Sequence, residues 1–218
     1  NLGVGWAWYG MGGGDALLNI DGVLGSAFND RLMGGSNSRW FNGTKIEWFI
    51  GNAGNDTIDG GRSDNGAAMN AGNFELNVAR YDSSTAGVNV NLAAGTASDG
   101  LGGTDTLFEI NYAWGSAFAD TLTGGNPFFD YSENFEGAGG NDSIDGGTGF
   151  DWAGYRSATA GVAVNLATGT ASDGLGGTDT LVSIEGVVGS DFNDTITGGA
   201  GDEIFQGHKG ADVINGGG

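Results

Sequence analysis

The chain has 218 residues but no cysteine, one proline (Pro127), one histidine (His208) and only seven Lys and Arg residues. Without cysteine, no disulfide can staple the fold, and zinc or iron–sulfur centres built on thiolate are excluded. One histidine leaves Ser-His-Asp or Cys-His chemistry with a single base at most, and His208 reads as an exposed residue of the turn GHKG. The seven cations stand against 27 Asp and Glu, a formal charge of −20. Such a charge argues against nucleic acid, whose phosphates select basic surfaces, and against docking on an anionic bilayer. No apolar run approaches the roughly 18 residues of a spanning helix, so membrane insertion is not expected. The opening NLGVGWAWYG does not read as a signal peptide, because no basic region precedes an apolar one.

Glycine and acid are in excess instead. Glycine supplies 47 residues, while a hydrophobic fraction of 39% and six tryptophans speak against disorder throughout. An ordered chain of this charge calls for bound cations.

Self-comparison organises the rest. Asn165–Gly199 aligns without a gap to Asn91–Gly125, and Asn1–Gly35 is a weaker third copy. The chain therefore reads as one continuous solenoid over 1–218, with large units 1–90 (starting mid-unit), 91–164 and 165–218 (truncated), an excerpt of a longer repetitive protein. Within these units runs a nine-residue frame, G-G-x-G-x-D-x-U-x, where U is a large apolar residue. Its sixth position is acidic in eleven of fourteen frames: Asp15, Asp30, Asp56, Asp105, Asp120, Asp142, Asp151, Asp179, Asp194, Glu203 and Asp212. Two places later stands an apolar residue such as Leu32, Ile58, Leu122 or Ile196, with the small Ala153 after Asp151.

Glycine tolerates positive φ, so the first half of a frame turns tightly and exposes carbonyl oxygens. The second half suits a very short strand with its apolar residue inward. Two turns and two strands then make a coil of eighteen residues, and coils stack as a parallel solenoid; VNVNL (Val88–Leu92) and VAVNL (Val162–Leu166) read as longer strands of the same stack. Glycine interrupts every window long enough for an amphipathic helix. The expected class is all-β, a parallel β-roll or β-solenoid.

A hard cation such as Ca2+ takes six to eight oxygens at about 2.3–2.6 Å. One turn offers a carboxylate and a few carbonyls, and two stacked turns offer twice that. Asp194 and Asp212 are therefore expected on one edge of the stack, sharing an ion, with Glu203 on the other. An aspartate that merely caps its turn is the plainer reading of a single frame. Eleven acids in frame, with few cations to offset them, favour several Ca2+ ions.

This frame resembles the haemolysin-type (RTX) calcium-binding nonapeptide, and the spacer GGTDTL…FNDTITGG resembles those of long bacterial RTX surface and secreted proteins. The resemblance implies a parallel β-roll, an extracellular or bacterial cell-surface location, export by a type I system and folding triggered by external calcium.

Three frames lose the acid. Those starting at Gly34, Gly60 and Gly124 place Arg39, Asn65 and Phe129 in the sixth position, and insertions follow. Both longer insertions carry aromatics, Trp40, Phe41, Trp48 and Phe49 in the first and Phe128, Phe129, Tyr131 and Phe135 in the second. These either pad the flank of the solenoid or contact a neighbouring subunit or a glycan. Nearly every acid is accounted for by the frame, so no enzyme active site is expected within the chain. The leading reading is a calcium-folded structural module of an adhesin, surface layer, matrix protein or filament. An accessory module of a secreted protease, lipase or alginate epimerase is the alternative, followed by an ice- or glycan-binding solenoid. The last has only TLT (Thr121–Thr123) and TIT (Thr195–Thr197) as visible threonine ranks.

Overall fold

A computed structural model of the chain describes residues 6–9, 13–16, 21–35, 44–61, 74–125 and 132–218. All regular structure among these residues is strand, and no helix is long and apolar enough to cross a membrane. Most strands are three residues long, because an x-U-x half-frame between glycine turns has room for no more. The central side chain points inward: Leu32, Ile58, Leu122, Ile144 and Ile196 are each at most 2% exposed. Burying one such side chain stabilises the fold by about 1.5–3 kcal/mol.

Among the described residues two facing sheets enclose this core, one of fourteen strands and one of eight. The shorter sheet is parallel throughout. Its inward file mixes large and small residues, Phe49, Ala79, Ala113, Phe135, Ala153 and Val187, all buried. The longer sheet is parallel where frames stack directly, as in Leu122↔Ile144 and Ile196↔Ile214. The all-β roll anticipated from the glycine frames is present.

The stack is nevertheless interrupted twice by antiparallel meanders that the repeat arithmetic does not announce. One comprises Asn89–Asn91, Thr96–Ser98 and Thr104–Phe108, the other Ala163–Asn165, Thr170–Ser172 and Thr178–Val182. In each, the first strand pairs in parallel with the strand of the following coil. Two reversals then carry the chain back, and the third strand pairs in parallel with an earlier coil. The reversal after Asn91 is local: Asn91 Oδ1 accepts the Ala94 amide at 2.7 Å, and Gly95 takes φ +66. VNVNL and VAVNL thus supply strands of the stack, but these are three residues long rather than longer than the others, and each opens a hairpin. Buried Tyr81 reaches across the core to the first meander, its hydroxyl donating to Asp105 Oδ2 at 3.2 Å.

Candidate metal centre

The frame aspartates of the longer sheet line the edge of the roll, Asp30, Asp56, Asp120, Asp142, Asp194 and Asp212 just before their strands and Asp105 and Asp179 as the second residue of theirs. There Oδ1 accepts the backbone amide of the aspartate one coil earlier. Asp30 N–H donates to Asp56 at 2.7 Å, Asp56 to Asp105 at 3.0 Å, Asp120 to Asp142 at 2.8 Å, Asp142 to Asp179 at 3.1 Å and Asp194 to Asp212 at 3.0 Å. The rail restarts after each meander, where Val88 and Val162 donate to Asp120 and Asp194. Eighteen residues separate Asp194 from Asp212, as a plain coil requires, but 49 separate Asp56 from Asp105, since a whole insertion and meander intervene. A second rail runs in the opposite sense through the preceding asparagines. Asn29, Asn55, Asn141 and Asn193 each accept, through Oδ1, an amide of the following coil at 2.8–2.9 Å. The recurrent Asn-Asp dipeptide is the sequence signal for this rail.

The remaining carboxylate oxygen sorts these aspartates further, with that of Asp105 taken by the Tyr81 hydroxyl. Asp30, Asp120 and Asp194 follow the pattern G-S-x-F-x-D. The serine amide donates to their Oδ2 at 2.5, 2.6 and 2.7 Å, and the serine hydroxyl adds a second bond. Asp56, Asp142 and Asp179, and Asp151 on the other edge, have no serine there, and their Oδ2 atoms are buried without a hydrogen-bond partner. First-position glycine leaves space against those oxygens: a Cβ on Gly51 would lie 2.3 Å from Asp56 Oδ2, and one on Gly137 2.3 Å from Asp142 Oδ2. Burial therefore pushes these carboxyls up, Asp56 and Asp151 to about 7 and Asp142 to about 8, against the pull of the amide each accepts. Asp105 and Asp179 rise to about 6 by the same cause.

The other edge, before the strands of the shorter sheet, corrects the reading of the broken frames. Arg39 and Phe129, to which the spacing gives the sixth position, lie outside the described residues. Downstream of each insertion a buried glutamate occupies it, Glu47 and Glu133. Gly35 N–H donates to Glu47 Oε1 at 3.2 Å and Gly125 N–H to Glu133 Oε2 at 2.6 Å, the contact that Gly199 makes with Glu203 at 2.9 Å without any insertion. Glu133 N–H donates to Asp151 and Asp151 N–H to Glu185, so this edge has its own rail. In the frame from Gly60 the position falls to Asn77, whose amide donates to Asn111 Oδ1 at 2.8 Å. Glutamate is thus the common acid of this edge, and Glu203 is no exception there. The structure also adds Asp99 and Asp173, which stand outside the frame in the meander turns, fully buried.

Of the remaining sequence candidates, Asp15 lies in an antiparallel hairpin in register with Ala7, and its side chain is outside the described residues. Trp40, Phe41, Phe128, Phe129 and Tyr131 are outside them too. Phe49 and Phe135 were read as flank padding or a partner contact, but both are 0% exposed and belong to the core, because each stands at the centre of an x-U-x triplet that turns it inward. Trp48, next to it, faces outward, and the Arg80 guanidinium lies 5.8 Å from its ring and 4.8 Å from that of Trp114.

The donor set along both edges is oxygen alone: carboxylates and turn carbonyls. Among the described residues no three His, Asp or Glu side chains form a cage by themselves, so an ion would draw further ligands from the backbone. The lone buried oxygens of Asp56, Asp142 and Asp151 fit a hard divalent cation, which would supply the charge that burial withholds. The model of the RTX calcium-binding nonapeptide repeat matches the chain in four copies, over residues 41–66, 130–153 and 188–218. No curated protein matches the chain.

Proposed function

Since the chain is an RTX-type calcium-binding repeat protein, we propose that it serves as a calcium-folded structural module outside the cell, within an adhesin, surface layer, matrix protein or filament, without catalysis of its own. The observation that carries this reading is the set of buried, partnerless aspartate oxygens on a rail of stacked turns. Such a rail is tolerable only when cations neutralise it. Sites of the extracellular kind bind calcium with dissociation constants of roughly 10⁻⁴–10⁻³ M. Each then stabilises the fold by about 1.4 kcal/mol for every tenfold excess of calcium over that constant. Submicromolar calcium leaves the chain unfolded and millimolar calcium folds it, which suits a protein that crosses a membrane before it works. A calcium titration of the folding transition tests this. A midpoint between about 10⁻⁴ and 10⁻³ M supports the reading, and a midpoint below a micromolar level contradicts the external assignment.

One observation favours a second reading, a surface for a glycan or for ice. The sequence shows threonine ranks in two strands only, but the meanders extend them. Thr104, Ser98, Asn89, Thr121, Ser143, Thr180, Thr170, Asn165, Thr197 and Asn215 stand side by side in unbroken register on the outer face of the longer sheet. Neighbours in such a file are about 4.8 Å apart. Co-sedimentation with insoluble polysaccharide and partition into growing ice test this reading. Enrichment that falls when Thr121 and Thr180 are both changed to Lys supports it.

A further inference from the structure

The two meanders repeat a feature that the nine-residue frame does not contain. Asp99 closes the turn between the second and third strands of the first meander, and Asp173 does so in the second. In each, Oδ1 is committed to the turn: Asp99 accepts the amides of Leu101 and Gly103, both at 2.8 Å, and Asp173 those of Leu175, Gly176 and Gly177 at 2.8–2.9 Å. Oδ2 has no partner in either, although both residues are 0% exposed.

That idle oxygen shares its space with a carbonyl from the neighbouring frame. The position of a Cβ on Gly103 lies 1.8 Å from the carbonyl oxygen of Gly54 and 2.7 Å from Asp99 Oδ2. On Gly177 it lies 1.6 Å from the oxygen of Gly140 and 2.6 Å from Asp173 Oδ2. Both pairs of oxygens stand within the span that one calcium ion bridges with ligand distances of about 2.3–2.6 Å. The same frames contribute Asp56 and Asp142, whose own Oδ2 atoms lack partners and whose charges repel those of Asp99 and Asp173. Only glycine allows this close approach of the two oxygens, so the juxtaposition depends on the missing side chain.

We propose that Asp99 with Asp56 and the Gly54 carbonyl, and Asp173 with Asp142 and the Gly140 carbonyl, form two reinforced cation sites that fill before the others. The inference rests on the calcium reading and ranks the sites within it. Affinity in oxygen sites rises with the number of charged ligands. A meander turn brings to its stack an extra carboxylate that the serine-capped frames around Asp30, Asp120 and Asp194 do not receive. Both sites lie at the foot of a meander, so filling them ties the third strand of the meander to the coil beside it.

The test is calcium binding to the full chain, with stoichiometry from native mass spectrometry and affinities from competition with a chromophoric chelator. Asp99→Asn and Asp173→Asn keep the Oδ1 acceptor that holds each turn and remove the charged oxygen, and Asp82→Asn serves as an exposed control. The parent is expected to show a tight class of two ions. Each single variant weakens one of them at least tenfold, the double variant weakens both, and the weaker class and the control are unchanged. Identical binding in the parent and the double variant would overturn the inference and leave Asp99 and Asp173 as turn caps. A parent that binds no calcium would sink the calcium reading itself, a separate outcome. If the double variant does not fold in calcium, the single variants decide by the loss or retention of one tight ion.

Discussion

The amide of Asp194 donates to Oδ1 of Asp212, one coil along the edge, at 3.0 Å. The same bond recurs from aspartate to aspartate along the roll, so a carboxylate secures the backbone of its neighbour while its other oxygen takes a serine, takes the Tyr81 hydroxyl at Asp105, or is left for an ion. The carboxylate here is a structural splice between coils as well as a ligand.

Removing a splice leaves a backbone donor without its acceptor. Asp142→Ala strips the acceptor from the Asp120 amide, which is buried. A loss of about 1–3 kcal/mol is expected in saturating calcium, and Asp142→Asn, which keeps an acceptor oxygen, loses less when both are measured by urea unfolding.

Glu133 performs the same service for an inserted loop. Glu133→Ala frees the Gly125 amide, bonded at 2.6 Å, and is expected to lower stability by about 1–3 kcal/mol. Glu133→Gln recovers most of that loss. Equal thermal midpoints for Glu133→Ala and the parent would refute the restored-frame assignment.

These two acids differ in how legible they were. The Asp194–Asp212 pair follows from spacing alone, because nothing interrupts the coil and the inward Ile196 and Ile214 stay in step. Glu133 was invisible as a frame residue, since the glycine half and the acid are normally four apart, as in Gly199 and Glu203, and here stand eight apart. Glu47 is twelve from Gly35. A loop spliced into the turn moves the acid along the chain without moving it in space. Asp99 and Asp173 escaped for a different reason: their position in the frame belongs to the preceding strand, and only the antiparallel return of the meander buries them beside Asp56 and Asp142. Phe49 looked like part of an aromatic surface because its neighbours are aromatic, yet strand alternation decides that Trp48 faces out and Phe49 in.

Without metal, the pH dependence of stability has a definite sign. Asp56 and Asp151 titrate near 7 and Asp142 near 8 in the fold, all raised from 3.8 by burial. The folded chain thus holds protons that the unfolded chain has released, so this contribution is fully present below about pH 4 and is lost as pH rises through 7–8. In chelator, the β-type circular dichroism is therefore expected to be stronger at pH 5 than at pH 8, where the metal-free chain is unfolded. In millimolar calcium the ordering reverses or flattens, because the ion replaces the protons. Metal-free β-type dichroism that grows from pH 5 to pH 8 would contradict the buried, unneutralised rail.

Gly51 should tolerate no side chain. A Cβ there would meet Asp56 Oδ2 at 2.3 Å, and the strain of overpacking costs about 1–3 kcal/mol. Gly51→Ala is therefore expected to lower both the unfolding midpoint and calcium affinity, whereas Gly216→Ala, with no atom within 4 Å of its Cβ, leaves both unchanged.

The most direct measurement is far-ultraviolet circular dichroism of the full chain at neutral pH, first in millimolar calcium and then after excess chelator. A roll whose aspartate rail depends on bound cations loses its β-type spectrum on chelation and regains it when calcium is restored. An unchanged spectrum in chelator would show that the stacked carboxylates hold the fold without metal, and would contradict the account at its centre.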